Sequence, residues 1–154
     1  MTMEAVIAIT ILASYVIMTC LIYGIPKSLS QSWFSIAHRW IFSVVMIVVS
    51  GLLFLTFMDL LPVKWQWIGF LCSAGGMMIG FSPNLDDEME HSAHMIGAAL
   101  LGMASQALVF MLCPLALSLW AFALPAIFLF SECKVFWIEM CAGALLCCSI
   151  FLQL

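Results

Sequence analysis

Charged side chains are scarce in this chain. Lysine and arginine together number 4 and aspartate and glutamate 8, so only 8% of the residues are charged. Soluble globular domains carry about 25% charged residues, so an ordinary water-soluble domain is excluded. With so few basic residues we also expect no nucleic-acid partner. No polar or charged run is long enough for a disordered tail or a separate aqueous domain, and no internal repeat is visible.

Paired cysteines are also lacking. The 7 cysteines are odd in number, lie almost all in apolar runs, and do not show the paired spacing of zinc ligands. This pattern argues against a disulfide framework and a zinc knuckle. We therefore expect reduced cysteines that pack as small apolar residues.

Apolar residues dominate instead, at 66% of the chain with a mean hydropathy of +1.24. A bilayer-spanning helix needs roughly 20 mostly apolar residues, which leaves room for about six. The sequence predicts an all-α, polytopic integral membrane bundle, a single domain over residues 1–154. Its six transmembrane helices are predicted at about 4–23, 38–61, 65–81, 86–112, 115–131 and 135–153.

The basic residues give a weak indication of how the protein is oriented in the membrane. The odd-numbered connections between spans hold Lys27, Arg39 and Lys134, whereas the even-numbered ones hold only Lys64. By the positive-inside tendency, the odd connections are predicted to face the cytoplasm. We expect a multi-pass protein of a bacterial inner membrane, with membrane lipids as partners and a homo-oligomer as an open alternative.

A cluster of acids and histidines over residues 86–94 is the most polar part of the sequence. Asp87, Glu90 or His91, and His94 recur at steps of three and four, which would place them on one face of the fourth helix. Imidazole and carboxylate groups are zinc ligands, so His91, His94 and Asp87 are candidate metal ligands and zinc a possible cofactor. The alternative is a capped helix start, with Asn84 as the cap and Asp87 at the third position.

The first connection is rich in serine. Ser28 and Ser30 follow Pro26, and His38 and Arg39 close the segment at the entrance to the second helix. Hydroxyl groups and a guanidinium could bind a lipid phosphate or a sugar. The alternative is an interfacial loop in which tryptophans anchor at headgroup depth and the serines cap helices.

Polar and small residues inside the predicted spans are also informative. Glu139 is a candidate functional acid, because a carboxylate in lipid is costly unless it is paired. Gly75, Gly76 and Gly80 predict close helix packing or bending near Pro83.

Three resemblances rest on short motifs. The segments 24–30, 38–42 and 80–83, with His94 downstream, resemble an uncharacterised family of small membrane proteins from gut Bacteroidales and their phages. The order of a proline-and-serine connection, an arginine or phenylalanine opening the second helix and a histidine opening the fourth resembles DRAM-like membrane proteins, which implies a role in lipid homeostasis. The His91 and His94 pair is similar to the zinc-binding histidines of alkaline ceramidases. That pair is spaced by three residues instead of four, and a seventh span is absent.

Three functions remain open, and the sequence does not decide whether the protein is an enzyme. The first is non-enzymatic binding of a lipid headgroup or small polar ligand in a cavity between helices. The second is a zinc-dependent, ceramidase-like lipid hydrolase in which the metal activates a water molecule. The third is a proton or ion pathway through His94 and Glu139. The cavity of the first hypothesis is predicted to be lined by Ser28, Ser30, His38, Arg39, Asp87 and His94.

Overall fold

The computed structural model describes residues 3–153, and every regular element in that range is helical. The α-helices are α1 (Met3–Tyr23), α2 (Ser32–Ser35), α3 (Trp40–Leu60), α4 (Gln66–Phe81), α5 (Glu88–Leu112), α6 (Trp120–Phe130) and α7 (Lys134–Phe151). Two 3-10 turns, Val63–Trp65 and Pro114–Leu119, precede α4 and α6. The all-α prediction is confirmed.

Four helices, α1, α3, α5 and α7, are long and apolar enough to cross a membrane. Their mean hydropathies lie between 1.7 and 2.6, and at most a third of each apolar window is buried inside the protein. Their outer surfaces are therefore largely apolar, as expected of helices that face lipid. This suggests a membrane location. The apolar helices α4 and Pro114–Leu129 are shorter.

The structure differs from the predicted spans in two places. The segment predicted at about 115–131 begins with the 3-10 turn Pro114–Leu119 and becomes α-helical only at Trp120. Proline lacks an N–H group and favours the first turn of a helix, which fits its position here. The serine-rich connection also contains the short helix α2, which the sequence did not predict.

Small residues set the packing of the central helices, and α4 lies between α3 and α5. A Cβ atom placed on Gly75 would lie 2.6 Å from the carbonyl oxygen of Gly97 in α5. A Cβ atom on Gly80 would lie 2.9 Å from Ile47 Cγ1 in α3, and one on Gly76 would overlap the hydroxyl of Ser50. At Gly75 the nearest atoms are backbone, so only glycine permits that approach, and the prediction of close helix packing is confirmed.

The polar connections gather at one end of the bundle, which we call the polar end. It holds residues 24–39 between α1 and α3, residues 82–87 between α4 and α5, and residues 131–133 between α6 and α7. Hydrogen bonds join the three regions, because His94 at the start of α5 reaches Ser30 and Ser82, and Glu139 at the start of α7 reaches Leu29.

Candidate functional site

His94 lies at the centre of the polar end, and only 4% of its surface is exposed. Its Nδ1 atom is 2.8 Å from the carbonyl oxygen of Ser82, and its Nε2 atom is 2.8 Å from the hydroxyl oxygen of Ser30. A carbonyl oxygen only accepts, so Nδ1 carries the proton and donates to Ser82. In the neutral ring Nε2 then accepts from the Ser30 hydroxyl. His94 therefore ties the connections before α3 and before α5 to one helix.

Residues 29–32, here called the anchor segment, are held by two further helices. The backbone N–H of Leu29 donates to Oε2 of Glu139 in α7 at 2.6 Å. The hydroxyl of Ser32 donates to the carbonyl oxygen of Leu29. Because a serine hydroxyl has one proton, Tyr15 of α1 must donate its own proton to Ser32. The anchor segment is thus bonded to α1, α5 and α7.

Backbone contacts also attach the preceding residues to the start of α7. The N–H of Phe136 donates to the carbonyl oxygen of Lys27 at 3.0 Å, and the thiol of Cys133 lies 3.8 Å from the carbonyl oxygen of Ile25. The chain after α1 therefore crosses the polar end and reaches α7.

The residues predicted to line a polar cavity are dispersed. Ser30 and His94 meet, but they bond each other. The hydroxyl of Ser28 accepts from the N–H of Gln31 at 3.2 Å. His38 is exposed, and so is Arg39, whose guanidinium lies 4.8 Å from the ring centroid of Trp33. The remaining member of the predicted set, Asp87, is exposed at the N-terminus of α5.

The prediction of the residue that caps the N-terminus of α5 was wrong. Asp87, not Asn84, is the N-cap of α5, and its Oδ1 atom accepts from the N–H of Glu90 at 2.9 Å. The side chain of Asn84 instead accepts from the N–H of Asp86, which delays the helix start by a turn. Glu90 Oε2 accepts from the N–H of Asn84 at 3.0 Å, which ties the residue three positions before the N-cap to the first turn of α5.

The candidate zinc ligands His91, His94 and Asp87 do not converge. Asp87 caps the helix, and His91 is exposed with its Nδ1 atom 3.3 Å from the carbonyl oxygen of Leu85. Both nitrogens of His94 already have protein partners. Within residues 3–153, no three His, Cys, Asp or Glu side chains are grouped so that they could hold a metal ion.

An apolar groove of about 550 Å³ lies between α1 and α7. We call it the α1–α7 groove; its walls include Ile9, Ala13 and Val16 of α1 and Met140, Gly143 and Ala144 of α7. Along α1 the lining runs from Ile9 to Leu21, about 18 Å at a rise of about 1.5 Å per residue. A Cβ atom at Gly143 would meet nothing within 4 Å, so the groove is open at that glycine.

A second cavity of about 480 Å³, the polar-end cleft, adjoins the groove. Ser131, Glu132 and Cys133 line it together with apolar residues of α6 and α7. Ile25 and Trp137 line both cavities, so the cleft and the groove are adjacent and share part of their walls. A mainly apolar groove between two candidate spans therefore lies next to a cleft lined in part by Ser131 and Glu132.

No family model, curated protein or solved structure matches the chain.

The groove, the cleft and the hydrogen bond of Tyr15 to the anchor segment were not predicted from the sequence. A tyrosine hydroxyl in the middle of an apolar helix was a usable signal, because a buried hydroxyl needs a partner. The small residues Ala13, Gly143 and Ala144 were a second signal, since small side chains on two helices leave space between them or permit close packing. Only the spatial arrangement distinguishes these outcomes.

The carboxyl group of Glu139 is expected to hold the anchor segment in place. Replacing it in Glu139→Leu should speed amide hydrogen exchange at residues 29–32, because the N–H of Leu29 loses its acceptor. Glu139→Gln keeps a carbonyl oxygen at the same position and should leave exchange close to that of the parent. Hydrogen exchange with mass spectrometry in detergent measures both. Equal protection in the two variants would contradict the anchoring role.

Proposed function

We propose that this chain is a multi-pass integral membrane protein of six spans that binds a membrane lipid, with one acyl chain in the α1–α7 groove. The function is binding, without a chemical reaction. The inner membrane of a bacterium is the proposed location.

Six spans are supported by the alternating direction of the six apolar segments, which run in turn toward the polar end and away from it. Four helices have the required length and hydropathy. The two shorter segments, α4 and Pro114–Leu129, begin at the end opposite the polar end and finish at it, as a span must do in this order of connections. The 16 residues of α4 extend about 24 Å, and the 3-10 turn Val63–Trp65 lengthens the path. Local thinning of the bilayer accommodates such short spans at modest cost.

One observation carries the lipid proposal: the α1–α7 groove is lined almost entirely by apolar residues and adjoins the polar-end cleft, with which it shares Ile25 and Trp137. A phospholipid has the same layout, with a hydrocarbon chain that ends in a polar headgroup. The groove length of about 18 Å is close to the thickness of one leaflet, about half of the roughly 30 Å hydrocarbon core. Both walls belong to candidate spans, so acyl chains are the molecules that surround the opening.

The contacts of the polar end support this proposal by positioning Ile25, which lines both cavities and whose carbonyl oxygen lies 3.8 Å from the thiol of Cys133. Lys27, two residues later, is attached to α7 through its carbonyl oxygen, and the anchor segment follows directly. Of the residues predicted to line a polar cavity, Ser30 and His94 thus help to hold this segment in place, and neither lines the groove.

Filling the groove is the direct test. Gly143→Phe places a ring in the open space at Gly143, whereas Gly102→Phe places the same ring on the outer surface of α5, where a Cβ atom also meets nothing within 4 Å. We expect lipid retention to fall about tenfold in Gly143→Phe, equivalent to about 1.4 kcal/mol, because the ring and an acyl chain compete for one volume. Gly102→Phe should retain lipid like the parent.

The measurement is native mass spectrometry of the full chain released from nanodiscs that contain equal amounts of phosphatidylethanolamine and phosphatidylglycerol with identical acyl chains. Monodisperse elution and the melting temperature of each variant serve as folding controls. Equal lipid retention by the two folded phenylalanine variants would overturn the proposed function.

A further inference from the structure

The polar-end cleft holds one acidic side chain, that of Glu132. Glu132 is exposed to solvent and follows Ser131, which also lines the cleft, between the end of α6 and the start of α7. Both groups offer oxygen acceptors, and a carboxylate attracts a cation. The lining of the cleft therefore suits a positively charged group that carries N–H donors.

Basic groups lie beside the cleft, outside its lining. Lys134 is the first residue of α7, and its ammonium group lies 5.4 Å from the ring centroid of Phe128. Lys27 is exposed on the chain segment that is bonded to Phe136. A bound molecule that follows the groove into the cleft would meet negative charge at Glu132 and positive charge around it.

We infer that the polar-end cleft selects a zwitterionic aminophospholipid, one whose primary ammonium group binds Glu132 and Ser131 while its phosphate lies near Lys134. This inference rests on the proposed lipid binding and adds the chemistry of the headgroup. An anionic headgroup such as glycerol phosphate has no cation for Glu132 and brings its charge toward a carboxylate. A quaternary choline group has no N–H donor for either oxygen.

The same nanodisc experiment separates the inference from the proposed function, because the total lipid retained and the ratio of headgroups are independent readouts. We expect the parent protein to enrich phosphatidylethanolamine over phosphatidylglycerol about fivefold, the ratio that about 1 kcal/mol of an exposed charge pair produces. Glu132→Gln should abolish this enrichment and leave the total retained lipid unchanged. A second mixture, with phosphatidylcholine in place of phosphatidylglycerol, tests the need for N–H donors.

A matched control is Glu88→Gln, which removes the same charge from an exposed acid at the start of α5, outside the cleft. It should keep the full enrichment. The inference is overturned if Glu132→Gln retains the enrichment, if Glu88→Gln removes it equally, or if the parent prefers phosphatidylglycerol or phosphatidylcholine. None of those results contradicts the proposed function. The proposed function is overturned only if the Gly143→Phe and Gly102→Phe variants retain equal total lipid.

Discussion

Gly75→Leu is expected to destabilise the folded bundle by at least about 3 kcal/mol, the upper end of the range for overpacking. A Cβ atom at Gly75 would lie 2.6 Å from the carbonyl oxygen of Gly97 and 2.6 Å from the backbone nitrogen of Leu101. These are backbone atoms of a packed helix and cannot move aside as a flexible side chain could. The substitution therefore forces α4 away from α5, the pair of helices with the most extensive contact in the protein.

Gly102→Leu is the matched control for that prediction. Gly102 is exposed on α5, and a Cβ atom there would meet nothing within 4 Å. Both substitutions gain the same helix propensity from the loss of glycine, somewhat less than the roughly 1 kcal/mol that separates glycine from alanine. Unfolding in mixed detergent and SDS, followed by circular dichroism, measures the difference in free energy. If Gly75→Leu were as stable as Gly102→Leu, the close approach of α4 and α5 would be refuted.

His94→Ala is expected to cost about 2 kcal/mol of stability, because the carbonyl oxygen of Ser82 and the hydroxyl of Ser30 both lose a partner in a buried site. The loss also frees the connection between α1 and α3. Amide hydrogen exchange over residues 24–39 should therefore accelerate. His94→Asn should lie between the parent and the alanine variant, since its side-chain amide still offers a donor near the position of Nδ1.

His38→Ala removes an exposed imidazole from the same connection and is the control for His94. It should change neither the free energy of unfolding nor the exchange of residues 24–39. If the two alanine variants had the same free energy of unfolding and the same exchange rates, the His94 ring would not join the connections. The proposed role of the polar end in shaping the groove would then also be refuted.

The helices were predictable because their signal is local. Long apolar runs interrupted by Pro62, Pro83 and Pro114 placed the predicted helix bounds within a few residues of the observed ones, apart from the 3-10 turn before α6. The cap of α5 was misplaced by one turn, since the choice between Asn84 and Asp87 depends on which side chain reaches which N–H group. Both residues are good caps in isolation.

The candidate site was only partly predictable. His94 and Glu139 stood out because ionisable groups are costly inside an apolar helix, and each proves to be bonded to the anchor segment. Their partners could not be inferred, since Ser30 and Leu29 lie 64 and 110 residues away along the chain. The α1–α7 groove could not be predicted either, because its two walls come from helices at opposite ends of the sequence.

Hydropathy and helix breakers act over neighbouring residues, so the amino-acid sequence was sufficient to predict a helical, strongly apolar protein whose polar residues are concentrated near a few connections. Which polar groups bond one another, and where space remains between helices, could be read only from the packed helices. Hydrogen bonds and cavities depend on distances between residues far apart in the chain, and those distances exist only once the helices have packed.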